Sequence, residues 1–115
     1  MVNFSKGDLV LVNLGPVKGS EQGGTRPALI IQNNILNVHS PTIIVAPITS
    51  RIYSKKYPTN VQFFSSNSGL KEKSTILLNQ IRTIDKKRII KKIGKLDEEL
   101  IKEVNLAIKV SLSIN

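Results

Sequence analysis

The stretch that most limits the fold is Gly19-Ser20-Glu21-Gln22-Gly23-Gly24-Thr25-Arg26-Pro27, set between two apolar runs. Its three glycines admit positive φ and the close approach of a partner. Pro27 fixes its own φ and biases Arg26 toward extended geometry. The chain therefore leaves one strand, crosses a loop and enters a second strand, residues 28–32, at the guanidinium. An arginine held at the root of a buried strand is a rigid, permanently charged anion receptor. A long hairpin loop with a solvated arginine accounts for the same residues.

The rest of the chain reads mostly as strands. Residues 8–14 follow a Lys6-Gly7 turn and form the first. The second ends in Gln32-Asn33-Asn34, residues that favour turns, and residues 37–41 form a loop around the one histidine, His39. Residues 42–48 are nearly continuously apolar, which predicts a central third strand; Pro47 removes a ladder donor and calls for a bulge or a sheet edge. Thr49 and Ser50 set a pair of hydroxyls at its end. Residues 59–63 alternate as a fourth strand, 65–69 are a plain loop, and 74–84 form a fifth strand with Gln80 and Arg82 on one face. Asp85 caps a short turn to Arg88. Residues 89–96 fit a helical turn or a short strand equally. Asp97 stands at an N-cap, Glu98 and Glu99 complement the helix dipole, and Leu100, Ile101, Val104, Ala107, Ile108 and Leu112 form one stripe. This is an amphipathic helix lying on a sheet. With neither repeat nor linker, residues 1–115 read as one mainly β, α+β domain.

Composition narrows the function. A 115-residue chain supports a real but modest core. There is no 18-residue apolar run to span a membrane and no apolar leader near Met1. Cysteine is absent, which excludes disulfides and thiolate metal sites and fits a cytoplasmic protein. The charge is uneven: residues 51–95 hold twelve of the 17 basic side chains against Glu72 and Asp85 alone. That block suits a polyanion, most simply a nucleic acid; a lysine-rich solubilising surface is the other reading. Within it, residues 51–58 interleave Tyr53 and Tyr57 with Lys55, Lys56 and Pro58, a pattern that stacks bases while neutralising phosphates, or that covers the edge of the core.

The inventory leaves little catalytic chemistry. One histidine excludes an imidazole pair, and the acidic residues lack metal-ligand spacing, so neither metal nor cofactor is expected. The glycine loop lacks the Lys-Ser/Thr of a P-loop, and no serine stands in an elbow motif. RNA backbone cleavage fits, because the substrate's own 2′-OH is the nucleophile. The protein then only aligns the phosphate and stabilises charge on its oxygens, work for an arginine and a hydroxyl donor.

Beyond the loop, Ile31-Gln32-Asn33, Ser40-Pro41-Thr42, Ile48-Thr49-Ser50, Pro58-Thr59 and the run from Leu77 to Lys86, LLNQIRTIDK, are collinear with the MazF/PemK toxins. The chain resembles that family from about Gly7 to the final helix. The resemblance implies an SH3-like barrel of the MazF/CcdB type and a homodimer. It implies ribosome-independent, metal-independent cleavage of single-stranded RNA at short sequences, and neutralisation by a MazE-type antitoxin. The catalytic arginine and threonine fall on Arg26 and Thr49, and RNA-contacting positions on Ser20, Glu21, Gln22, Asn33 and Gln80. Ser50, Lys56, Pro58 and Arg82 complete the candidate RNA surface. Departures from the family pattern stand at Asn79, usually acidic, at Asn34, often aspartate, and at Asn60, often histidine.

The resemblance sharpens roles that physics alone leaves open. With a guanidinium pKa above about 12, Arg26 is a poor proton exchanger and is read as a clamp on the phosphate. Glu21, the loop's one carboxylate, is either the base for the 2′-OH or a contact to a base edge. Thr49 donates to a phosphoryl oxygen. Gln80 and Arg82 read RNA or support a dimer interface. An antitoxin with an acidic, disordered tail would find complementary charge on Lys55, Lys56, Arg82, Lys86, Lys87 and Arg88. The competing class is a non-enzymatic barrel, either an RNA-binding module or a gyrase poison of the CcdB type.

Overall fold

Every strand pairs antiparallel, and β3 organises the rest. The computed structural model describes residues 3–115; Met1 and Val2, part of the stretch read above for a leader, lie outside them. The elements are β1 (Asp8–Asn13), β2 (Thr25–Ile30), α1 (Asn34–His39), β3 (Thr42–Thr49), β4 (Asn60–Phe63), β5 (Ser74–Leu77), β6 (Arg82–Asp85), β7 (Ile89–Lys95) and α2 (Glu98–Leu112). The strands lie in the order β4-β5-β3-β2-β1-β7, with β6 also beside β3.

Along one edge of β3 runs β2. Along the other, β6 covers Thr42 to Val45 and β5 covers Ile48 and Thr49. The single strand expected over residues 74–84 is thus two, broken by a 3-10 turn at Leu78–Gln80. Pro47 accounts for the break. Ile31 N–H donates to Ile44 O, so even-numbered residues of β3 bond toward β2 and odd-numbered ones toward β5 and β6. The missing donor of Pro47 faces the interruption, where no ladder bond is needed. The expected irregularity falls in the partner, and β3 itself runs unbroken.

Alternation along the strands fills two cores. Val10, Val12, Ala28, Ile30, Ile43, Val45 and Ile84 point into the curl of β6-β3-β2-β1-β7. Leu9, Leu29, Ala46, Ile48, Phe63, Ile76 and Leu78 pack on the opposite face with Val104 and Ala107 of α2. The result is the expected mainly antiparallel barrel carrying a C-terminal amphipathic helix.

Several local expectations change or are resolved. Asn33 and Asn34 open a helix rather than a turn: Asn33 Oδ1 accepts from Leu36 N–H at 2.9 Å, an N-cap bond. Asn37, expected in a loop, is buried there and exchanges hydrogen bonds with Gln32. The plain loop at 65–69 is a 3-10 turn at Ser66–Ser68 closed by Gly69 at φ +80°. A Cβ on Gly69 would fall 2.0 Å from Ile93 O, and one on Gly94 2.3 Å from Ser68, so the turn lies directly on β7. Residues 89–95, left open between helix and strand, pair with β1. Asp97 occupies the N-cap of α2, but its carboxylate accepts from Ser65 Oγ and Asn67 Nδ2, each at 2.9 Å, instead of from the helix. Those bonds, the Asn67 amide first and then the Ser65 hydroxyl, hold its pKa below the ordinary 3.8. Leu112 leaves the stripe and is 51% exposed, because the packed part of α2 rests on β4 and the Leu78–Gln80 turn.

Candidate active site

Sheet pairing brings Arg26 and Thr49 together. β2 and β3 pair with Ala28 opposite Pro47, and continuing that register sets Arg26 across from Thr49. The strand begins at Thr25, three residues earlier than expected, since β1 pairs as far as Asn13 with Thr25. Arg26 therefore lies within the ladder rather than before it. Its Nε donates to Gly23 O at 2.9 Å, and Nη1 donates to Ile48 O at 3.5 Å. Two of the five guanidinium N–H groups are so fixed, and three remain for a ligand.

Gly23 is held by its surroundings. A Cβ there would sit 2.8 Å from the Val17 backbone, so the loop closes on itself only with glycine at this position. Gly24 N–H donates to Gly15 O, and Leu14 N–H to Gly24 O, which ties off the loop at its neck.

Thr49 is fixed at the other side. Its Oγ1 accepts from Arg51 N–H at 3.2 Å, which leaves the hydroxyl hydrogen free to donate. Arg51 O in turn accepts from Thr75 Oγ1 at 2.9 Å. Thr75 is fully buried and pairs with Thr49 across β3 and β5. Sequence reasoning passed over Thr75, one of two adjacent hydroxyl residues that open β5. Arg26, Thr49 and Ser50 line one hollow of about 430 Å³ together with Lys71 and Glu72. Those last two come from the loop before β5 and carry no motif that sequence could have marked.

A second hollow, of about 400 Å³, is lined by Ser20, Glu21, Gln22, Gln80 and Arg82, with Pro47 and Asn79. Gln22 N–H donates to Gln80 Oε1 at 3.0 Å, pinning the glycine loop to the Leu78–Gln80 turn. Arg82 Nη1 reaches Leu14 O at 3.4 Å. Glu21 thus stands with the candidate RNA readers, and the hollow holding Arg26 and Thr49 does not include it.

The remaining candidates spread outward. Tyr53, Lys56 and Tyr57 line a hollow with Asn60, Gln62 and Glu103. The tyrosines meet edge to face at 5.9 Å, and the Arg51 guanidinium lies 4.6 Å over Tyr53. Pro58 is exposed in the same loop. A smaller hollow containing Asn79 and Gln80 joins these tyrosines to the second hollow. Asn33 caps α1, past the far end of β2 from Arg26, roughly 20 Å away at strand spacing. The six cations expected to form one acidic-tail surface do not lie together: Arg82 pairs with Val45 in the middle of β3, Lys86 is tied to the segment before β3, and Arg88 reaches the end of β1, near Thr25. Lys55 and Lys56 follow Thr49, while Lys86 N–H bonds Pro41 O and Arg88 Nη1 donates to Asn13 O. Among the described residues no three His, Asp or Glu side chains come close enough to hold a metal ion, and no helix is long and apolar enough to cross a membrane.

The fold and the site define a class: a small antiparallel barrel protein with an arginine and a hydroxyl donor lining one hollow. The chain belongs to the family of PemK-like, MazF-like toxins of type II toxin-antitoxin systems, whose pattern matches residues 5–112. It is 51% identical over 110 residues to the endoribonuclease MazF of Staphylococcus saprophyticus, covering 96% of this chain and 92% of that protein. Similarity to the endoribonuclease EndoA of Bacillus subtilis is 50% over 109 residues, covering 95% and 94%. Among solved structures, a MazE-MazF crystal structure from Deinococcus radiodurans superposes with a TM-score of 0.79 at 26% identity over the whole of both chains.

Proposed function

We propose that this chain is the toxin of a type II toxin–antitoxin pair, a ribosome-independent endoribonuclease that cuts single-stranded RNA without a metal ion. The endoribonuclease class follows from relatives half identical over nearly the full chain. The observation that carries the mechanism is that Arg26 and Thr49 line one hollow, with the Arg26 guanidinium on the carbonyl of Ile48, the residue before Thr49.

In that mechanism the 2′-oxygen attacks the neighbouring phosphorus while its proton passes to a base. The bond from phosphorus to the 5′-oxygen breaks, and the 5′-oxygen takes up a proton. The products carry a 2′,3′-cyclic phosphate and a 5′-hydroxyl. Arg26, braced by two carbonyls, directs its free N–H groups at the non-bridging oxygens as charge builds there. Thr49 donates its free hydroxyl hydrogen to the same group. Glu21 acts as the base or contacts a base edge; the pH–rate profile of Glu21→Gln separates these, since loss of the base removes the acid limb. Ser20, Gln22, Gln80 and Arg82 contact nucleotides on one side of the scissile phosphate. Ser50, Lys56 and Pro58 do so on the other, and Asn33 reaches only an extended substrate.

The working unit in this reading is a homodimer, and its partner is a MazE-type antitoxin whose acidic, disordered tail competes with RNA. The superposition on a MazE-MazF structure supports that partner, and the uneven positive charge supports its acidity. The test is incubation of the purified chain with a long single-stranded RNA in EDTA, followed by mapping of 5′ ends. Cleavage with 5′-hydroxyl termini is expected. A requirement for Mg²⁺, or cutting that persists when the scissile nucleotide is 2′-deoxy, overturns the mechanism.

A further inference from the structure

We infer that β7 and the hollow at its end form a second RNA-binding surface, one that holds nucleotides flanking the cleaved sequence; the inference rests on the RNA-cutting role proposed above. β7 is an edge strand, paired on one side with β1. Its residues Lys91, Lys92 and Lys95 come after Lys86-Lys87-Arg88 and two isoleucines, with no acidic residue from 86 to 95. The one ion pair found among the described residues ties Lys92 to Asp8 at 3.1 Å. Lys91 and Lys95 are exposed and have no such partner.

The strip is continuous with the site. Lys91 pairs with Leu11, and Leu11 with Pro27, so Lys91 lies two strand spacings, about 10 Å, from the residue after Arg26. Arg82 and Arg88 donate to the successive carbonyls of Leu14 and Asn13, which joins the second hollow to the start of β7. At the other end, Lys95 opens onto a hollow of about 430 Å³ that Lys6, Lys95 and Lys102 ring over a floor of Gly7, Leu96 and Ile101, with Glu98 as its single carboxylate. Cations around an apolar floor match a phosphodiester and a base face.

The edge is unsuited to a peptide strand. Register shifts interrupt the β1–β7 ladder at two places, and bulges with lysines are the usual protection against strand addition. A single-stranded polyanion needs no ladder and meets the charge directly.

The test uses the full chain and its Lys91→Gln/Lys95→Gln/Lys102→Gln variant, all at exposed positions. The probes are labelled 2′-O-methyl RNAs of two lengths, which cannot be cut: a hexamer carrying the mapped cleavage sequence and a 30-mer centred on it. The 30-mer is expected to lose on the order of tenfold in affinity at 0.15 M salt in the variant, and its log–log salt slope to fall by about 2, near 0.7 per lysine. Hexamer binding, and the cleavage rate of the same hexamer made with unmodified ribose, stay within twofold. An unchanged 30-mer affinity and slope overturn the inference. So does an equal loss on both lengths, which would place the lysines in the catalytic groove. Loss of polyglutamate binding with RNA binding intact would assign the face to an acidic protein instead. A wild-type chain that cuts no RNA yet binds the 30-mer in this lysine-dependent way would sink the nuclease reading and leave this surface standing.

Discussion

The two hollows on either side of the end of β3 are built differently. In the first, Arg26 and Thr49 lie in the sheet, and each is tied to backbone atoms of neighbouring segments. In the second, Ser20, Glu21 and Gln22 lie on a loop, pinned to the Leu78–Gln80 turn by the bond from Gln22 N–H to Gln80 Oε1. Electrostatic stabilisation of a transition state needs donors already fixed where charge develops. Base recognition tolerates more adjustment and is served by loops on a rigid scaffold. The division of labour follows: chemistry in the strand-built hollow, sequence reading in the loop-built one.

The largest effect that tests this division is loss of a donor in the first hollow. Arg26→Ala and Thr49→Ala should each remain folded by circular dichroism and lose on the order of 10²–10³ in kcat. Comparable activity in both variants would move the chemistry elsewhere. Next comes the support behind Thr49. Thr75→Val keeps shape but removes a hydrogen bond to Arg51 O worth about 1 kcal/mol, and a fall in kcat of roughly fivefold, with KM unchanged, is expected. A change in KM alone would give Thr75 a merely structural part. In the second hollow, Gln80→Ala should raise KM by about fivefold, leave kcat alone and relax the cleavage sequence, as mapped 5′ ends will report.

The smallest effect lies outside both hollows. The carboxylate of Asp97, stabilised in its charged form by Asn67 and Ser65, has a folded pKa below 3.8. Its stabilising contribution is therefore full above that value and disappears as pH falls through the lower folded pKa. Thermal melts from pH 7 to pH 2 should show Asp97→Asn less stable than wild type near neutrality, with the gap closing below 3.8. A gap independent of pH would contradict this role.

Much of this architecture was legible in the residues. The apolar run through residues 42–48 marked β3 as central, and alternation marked β4. Arg26 and Thr49 were legible as candidates because the glycine loop and the strand end stand out locally. Their facing one another depends on the β2–β3 register, which no local pattern encodes. Three features were hidden for identifiable reasons. The six-residue α1 is too short for periodicity, and its capping asparagine resembles a turn former. The break in the fifth strand is caused by Pro47 on a neighbouring strand. The places of Glu21, Glu72 and Thr75 are set by packing between segments far apart in the chain.

The most direct measurement is the single-turnover cleavage rate of Arg26→Lys at saturating enzyme, set beside its affinity for the same RNA made uncleavable by 2′-O-methylation. A lysine keeps the charge but loses the planar fork that grips Gly23 O and Ile48 O while presenting further N–H groups. The account predicts a cleavage rate lower by on the order of 10²-fold with affinity nearly unchanged. A variant that cuts at close to the wild-type rate would show that charge alone suffices, and would contradict the claim that chemistry depends on a guanidinium fixed within the sheet.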